Sequence, residues 1–284
     1  MLVPYNQILR QARQHQYAVG AFNIYNLEGA LAVIQAAEEL GSPVIIQLLP
    51  AALALGGAPL IQLCLAAGKN APVPVAVHLD HCPSQKEILV ALAAGISSVM
   101  ADGSRLDYAG NLAFTKEIVQ AADRYTAGVE GELGRLSGSE DGLTVEAANA
   151  KMTRPEQAAD FAEQTGISAL AVCVGNVHGT YATEPRLDFD RLRAIGARVA
   201  IPLVLHGTSG LPDEMIVQAI AHGVCKFNVN TEVRTAYTRT LSRLFRDGKT
   251  PELVDVMQGG LEAMKHPIKE KIRLFGSTNK SFYQ

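Results

Sequence analysis

With 284 residues, 48% of them hydrophobic, the chain is long enough to bury a large core, either as one α/β barrel or as two smaller domains. Its 25 Lys and Arg against 28 Asp and Glu give a formal charge of −3, and no basic block interleaved with aromatics tracks a nucleic-acid backbone, which speaks against nucleic acid as a partner. The opening MLVPYNQILRQARQHQYAVG is polar and periodic without a signal-peptide apolar core. No stretch reaches the ~18 uninterrupted apolar residues of a membrane helix, so a soluble cytoplasmic protein with no membrane partner is expected.

In chain order, β-rich apolar runs are predicted at 18–23, 43–49, 73–80, 97–102, 127–133, 168–175, 201–207 and 224–230. Amphipathic stretches such as LEGALAVIQAAEEL, PSQKEILVALAAG, YAGNLAFTKEIVQAADRY, RPEQAADFAEQTG and LPDEMIVQAIAHG lie between them, with apolar residues at three-to-four spacing and frequent terminal glycines. Apolar strands alternating with helices imply a parallel sheet covered by helices, and eight such units imply an α/β TIM (β/α)8 barrel. A doubly wound sheet would require a glycine-rich phosphate motif after its first strand, and AVGAFNIYN has none. Two intervals break the spacing. Residues 134–153, GRLSGSEDGLTVEAANAKMT, form an extended active-face loop after the fifth strand and a candidate lid. The region beyond about residue 231 is helical in pattern and suited to subunit contacts. No linker or repeat divides the chain, so residues 1–284 are expected to form one domain.

The chemistry-bearing residues gather at predicted strand ends: Asn23, Asp80, His81, Asp102, Glu132, His178, His206, Asn228 and Asn230. Barrel active sites are assembled from those ends. A lone histidine there is more often a packed, hydrogen-bonded residue. Three of them, His81, His178 and His206, each closing a separate apolar run, point instead to a metal, because neutral imidazoles are favoured zinc ligands and three leave a coordination position open. His78 lies inside the third strand and reads as a core or supporting histidine; His15, His222 and His266 fall in helical patterns at the surface. Cys64, Cys82, Cys173 and Cys225 form no CxxC pair and read as reduced thiols.

The ordered motifs VHLDHCPS, ADGS, VEGELG followed by SGSEDG, VGNVHGTY, LVLHGTSG and FNVNTE carry a resemblance. The chain resembles the class II, zinc-dependent ketose-bisphosphate aldolases from YAVGAFNIYNLE to KIRLFGSTNK, nearly its whole length. That resemblance implies one Zn2+ ion on His81, His178 and His206, with Asp102 and Glu132 available to an alternative metal position. It makes Asp80 the acid/base at the C4 hydroxyl and Glu140, in the 134–153 loop, the group that exchanges the C3 proton. Substrate contacts fall on Asn23, Gly179, Gly207, Thr208, Ser209, Asn228, Val229, Asn230, Thr231 and Arg234. A monovalent cation, Na+ or K+, near the phosphate site and a homodimer or homotetramer are also implied.

The expected reaction is reversible cleavage of a ketose 1,6-bisphosphate, with fructose 1,6-bisphosphate favoured and tagatose 1,6-bisphosphate kept open, to dihydroxyacetone phosphate and glyceraldehyde 3-phosphate. Leu48 and Leu49 stand where many relatives have a substrate-facing serine or threonine, and Ala182 and Thr183 where many have a lysine, which opens the alternative of an unphosphorylated aldehyde. Two rivals remain at this stage: an imine-forming aldolase using Lys226, and a non-catalytic sugar-phosphate-binding barrel.

Overall fold

The computed structural model describes residues 1–140, 143–145, 151–179, 181, 184–246 and 250–281, and of residues 137–140 and 143–145 the backbone alone. Helix α1 (Tyr5–Gln14) comes first and buries Tyr5, Ile8, Leu9 and Ala12, the three-to-four spacing of one apolar face. Strands and helices then alternate through β1 (Val19–Asn23), α2 (Leu27–Leu40), β2 (Val44–Leu48), α3 (Pro50–Asn70), β3 (Val75–Cys82), α4 (Gln85–Ala93), β4 (Ser98–Ala101), α5 (Tyr108–Asp123) and β5 (Gly128–Leu133). Two short strands, β6 (Ser137–Glu140) and β7 (Leu143–Val145), precede α6 (Pro155–Thr165), β8 (Ala169–Val172), β9 (Val177–His178), α7 (Phe189–Gly196), β10 (Leu203–Leu205), α8 (Asp213–Ala221), β11 (Val224–Val229), α9 (Thr231–Leu244) and α10 (Leu253–Leu274).

Eight strands close a barrel in the order β1-β2-β3-β4-β5-β8-β10-β11, every pair parallel. All eight predicted runs supply them, and the TIM-barrel expectation holds. Side-chain alternation along the strands sorts the apolar residues into two layers. Phe22, Ile46, Leu48, Val77, Leu79, Val99, Leu170, Leu205, Phe227 and Val229 join the large core beneath the helices. Val19, Ala21, Ile45, Ala76, Ala169, Ala171 and Val204 face the other way and pack with Tyr5, Ile8, Leu9 and Ala12 of α1, which thus stoppers the floor of the barrel. Leu48 therefore faces the helices, and Gln47 is its lumen-facing neighbour.

Helix starts follow local chemistry. Asn26, Ser84, Asp107 and Asp188 accept bonds from the backbone N–H groups of Gly29, Glu87, Gly110 and Arg191. Helix α3 is 21 residues long and apolar enough by composition to cross a membrane. It is broken at Gly57, with φ 55° and ψ −154°, and packs on β2 and β3.

The long loop expected at 134–153 is in part a sheet. Residues β6 and β7 form an antiparallel pair, and β6 runs parallel to β9 with Gly138 opposite His178. Arg135 and Lys151 exchange backbone bonds of 2.8 and 2.9 Å at the neck. Asp141, Gly142 and residues 146–150 lie outside the described residues, as do Ala182 and Thr183.

Candidate active site

Asp80 and His81 are consecutive, and in a regular strand their side chains would face opposite sides. Between Leu79 and Cys82 the register of β3 slips against β4: Leu79 pairs with Val99 but Cys82 with Ala101, so three steps on β3 match two on β4. His81 absorbs the extra residue at φ 45°, a left-handed conformation rare for a non-glycine residue. The bulge brings both side chains to one rim.

His81, His178 and His206 converge there, with one nitrogen of each within 4.8 Å of the others. His81 Nε2 and His206 Nδ1 are 2.8 Å apart. Their remaining nitrogens are held from behind, His81 Nδ1 by Asp102 Oδ2 at 3.1 Å and His206 Nε2 by Glu130 Oε1 at 2.9 Å. Carboxylates behind metal-facing imidazoles fix ring orientation and tautomer, so this donor set suits a tetrahedral divalent ion such as zinc with one position open. A second group, His81, Asp102 and Glu132, also meets within 4.8 Å, where the alternative metal position was expected. Burial lowers the His206 pKa to about 4. Burial acts the same way on His81, but Asp80, Asp102 and Glu132 outweigh it and lift that ring to about 10. Glu132, desolvated beside Asp102, rises to about 8.

Asp80 is held by three amides. Asn23 Nδ2 donates to Oδ2 at 3.0 Å, Gln47 Nε2 to Oδ2 at 3.3 Å and Asn228 Nδ2 to Oδ1 at 3.0 Å. Burial pushes its pKa up, yet the surrounding His81, Lys226, His206 and His78 hold it down to about 2, so it stands as an ionised acceptor. Below it lies a closed polar layer: Lys226 Nζ sits 2.9 Å from Glu130 Oε2 and 2.7 Å from Asn228 Oδ1, and the Tyr5 hydroxyl also donates to Glu130. His78 belongs to this layer, bonded through Nδ1 to Ser98 at 2.9 Å and stacked on Tyr5. Lys226 is thus engaged as an ammonium, which disfavours the imine reading.

The remaining expected residues line the same rim unevenly. Gly179 and Gly207 have φ of 81° and 61°. A Cβ on Gly207 would lie 2.2 Å from the Val177 carbonyl oxygen, so glycine there also lets the His206 turn press against the strand that carries His178. Thr208 is buried with its hydroxyl donating to the Asn228 carbonyl at 2.6 Å, whereas Ser209 is partly exposed. The Val229 side chain packs outward, leaving only its backbone to the site. Asn230 accepts from the Tyr25 hydroxyl at 2.9 Å and precedes Thr231, the first residue of α9. Arg234 lines a cavity of about 220 Å³ together with Asn23, Tyr25, Asn26 and Tyr237. Glu140 ends β6, its side chain outside the description.

Sequence reasoning missed Gln47, Glu130 and Asn176. Asn176 accepts from Val174 N–H at 2.8 Å and donates to the His206 carbonyl at 3.0 Å, which ties the loop before His178 to His206. Lumen parity marks Gln47 and Glu130, two residues before the strand ends that were read; Asn176 has no such signal.

A TIM barrel whose rim joins three histidines to a buried, amide-cradled carboxylate has the architecture of a metal-binding barrel enzyme. Comparison with known proteins narrows this. The family model for fructose-bisphosphate aldolase class-II matches residues 3–280. Over 276 residues the chain is 39% identical to a sulfofructosephosphate aldolase from Alkalicoccus urumqiensis, with 96% of each chain covered. Among solved structures it is similar to the YdjI aldolase of Escherichia coli K12, at 33% identity and a TM-score of 0.87 over 99% of this chain and 100% of that one. It is also similar to the fructose-bisphosphate aldolase of Campylobacter jejuni, at 25% identity and a TM-score of 0.80 over 98% and 97%. The chain belongs to the class II fructose-bisphosphate aldolase family and is accordingly a carbon–carbon lyase.

Proposed function

We propose that the protein reversibly cleaves a ketose 1-phosphate bearing a second anionic group at C6, with fructose 1,6-bisphosphate the leading substrate, to dihydroxyacetone phosphate and a three-carbon aldehyde. The observation that carries this reading is the convergence of His81, His178 and His206 beside Asp80. A zinc ion on these histidines would supply the Lewis acid that takes up charge developing on the C2 oxygen. Asp80 accepts the C4 hydroxyl proton in cleavage and returns it in condensation. Its amide donors occupy one lone pair on Oδ1 and two directions around Oδ2, so Oδ1 keeps acceptor capacity for a substrate hydroxyl. Glu140 is assigned the C3 proton exchange.

The Gly179 and Gly207 turns, Ser209 and the N-terminus of α9 after Asn228–Asn230 offer backbone N–H groups to the C1 phosphate. A monovalent cation, Na+ or K+, would sit beside that phosphate. Arg234 takes the C6 anion, its guanidinium matching an oxyanion fork.

A second substrate is favoured by the Alkalicoccus relative, whose name specifies a sulfonated fructose phosphate. A sulfonate carries a single negative charge, which matches the single positive charge of a guanidinium more closely than a phosphate of about −1.5 to −2 does. The test is triose-phosphate release from fructose 1,6-bisphosphate, tagatose 1,6-bisphosphate and 6-deoxy-6-sulfofructose 1-phosphate, each before and after chelation and zinc readdition. Release from none of them, or release indifferent to chelator, defeats the proposal.

A further inference from the structure

Lys226 is fully buried in the middle of β11, and the reaction proposed above gives it no step. Its neighbours nevertheless lie on both halves of the site. An ammonium only donates and a carboxylate only accepts, so each hydrogen bond in this layer has a fixed direction. Asn228 must turn Oδ1 to Lys226, 2.7 Å away, and therefore presents Nδ2 to Asp80, 3.0 Å away. Glu130 accepts from Lys226 at 2.9 Å, from the Tyr5 hydroxyl and from His206 Nε2 at 2.9 Å. The hydrogen of the neutral His206 ring must then sit on Nε2, leaving Nδ1 bare toward His81 and His178. Without the lysine, the Asn228 amide can rotate by half a turn, and Glu130 loses one of the two donors on Oε2 that hold its other oxygen against His206 Nε2, so the ring is free to take either tautomer.

We propose that Lys226 is a positioning residue that sets hydrogen-bond direction on both sides of the site, through Asn228 to Asp80 and through Glu130 to His206. The half that concerns Asp80 rests on the aldolase reading; the half that concerns His206 does not.

The experiment compares wild type with Lys226→Met and with Lys226→Met/Glu130→Gln, the double variant removing both charges so that no lone carboxylate is left in the core. Side-chain ¹⁵N NMR of the metal-free proteins reads the His206 tautomer, chelator competition reads zinc affinity, and steady-state kinetics at saturating zinc separates kcat from KM. Wild type is expected to carry the Nε2–H tautomer. Both variants are expected to show mixed tautomers and zinc affinity lower by about 10- to 100-fold. Their kcat is expected to fall by about 100-fold with KM changed less than about threefold.

A wild-type Nδ1–H tautomer overturns the inference. So does a folded variant that loses only melting temperature while keeping tautomer, zinc affinity and kcat. Borohydride trapping of substrate on Lys226 would make it a nucleophile instead. If wild type cleaves no ketose phosphate, the aldolase reading fails, while tautomer and zinc affinity still decide the His206 half.

Discussion

Asp80 and His81 illustrate what single residues disclose. Both stood at a strand end and were legible as chemistry, but their sharing of one rim depends on a register slip against β4 that no local pattern announces. Asp80→Ala is expected to retain bound metal and lower kcat by about 10²–10⁴ with little change in KM, measured by metal analysis and steady-state kinetics. Replacing His81, His178 or His206 by alanine is expected to remove the metal while far-UV circular dichroism stays native. Gly207→Ala puts an atom 2.2 Å from the Val177 carbonyl oxygen at a φ of 61°, and is expected to cost at least about 1–2 kcal/mol in chemical denaturation. Gln47, Glu130 and Asn176 were unread because their partners are brought by distant strands. The four thiols were read correctly as free: all are buried, and burial lifts Cys64, Cys82 and Cys225 to about 12 and Cys173 to about 11. They are expected to resist a thiol reagent until the protein is unfolded.

Among the elements, barrel strands were legible because buried parallel strands read as short apolar runs between glycines and helix caps. Helix α1 was not, since its polar face dominates its composition while its four buried residues find their partners only inside the closed barrel. The β6–β7 pairing escaped for a related reason: SGSE and LTV lack apolar alternation, and β6 is aligned by pairing with the strand that holds His178. At the start of α9, Arg234→Ala is expected to raise KM for fructose 1,6-bisphosphate by about 10- to 150-fold, with a much smaller effect on a substrate lacking the C6 anion. Equal effects on both would make the arginine structural. Helices α2 and α10 are clasped by Glu39, which meets Lys265 at 2.7 Å and Lys269 at 2.9 Å. These bonds, Lys265 foremost, hold the Glu39 pKa below its ordinary 4.5. A lowered carboxylate pKa gives stability that is full above 4.5 and is lost as pH falls through the lowered value. Glu39 is largely exposed, so Glu39→Gln is expected to cost under about 1 kcal/mol at neutral pH, and the difference from wild type should vanish on acidification in urea melts.

For the molecule as a whole, the eightfold alternation made the barrel readable, whereas the division of its interior into an apolar floor and a polar layer beneath the rim emerged only from closure. Neither hydrophobic layer uses the histidine cluster. Chelation is therefore expected to abolish turnover while leaving a cooperative unfolding transition, and zinc should restore activity without refolding. The seating of α1 in the floor has one more consequence. With Tyr5, Ile8, Leu9 and Ala12 packed against that end of the strands, water approaching Lys226 is expected to enter across the histidine rim, where substrate is proposed to dock. A ligand lodged there is a cork, and hydrogen–deuterium exchange along β11 should slow when dihydroxyacetone phosphate is bound, even at amides the ligand never touches.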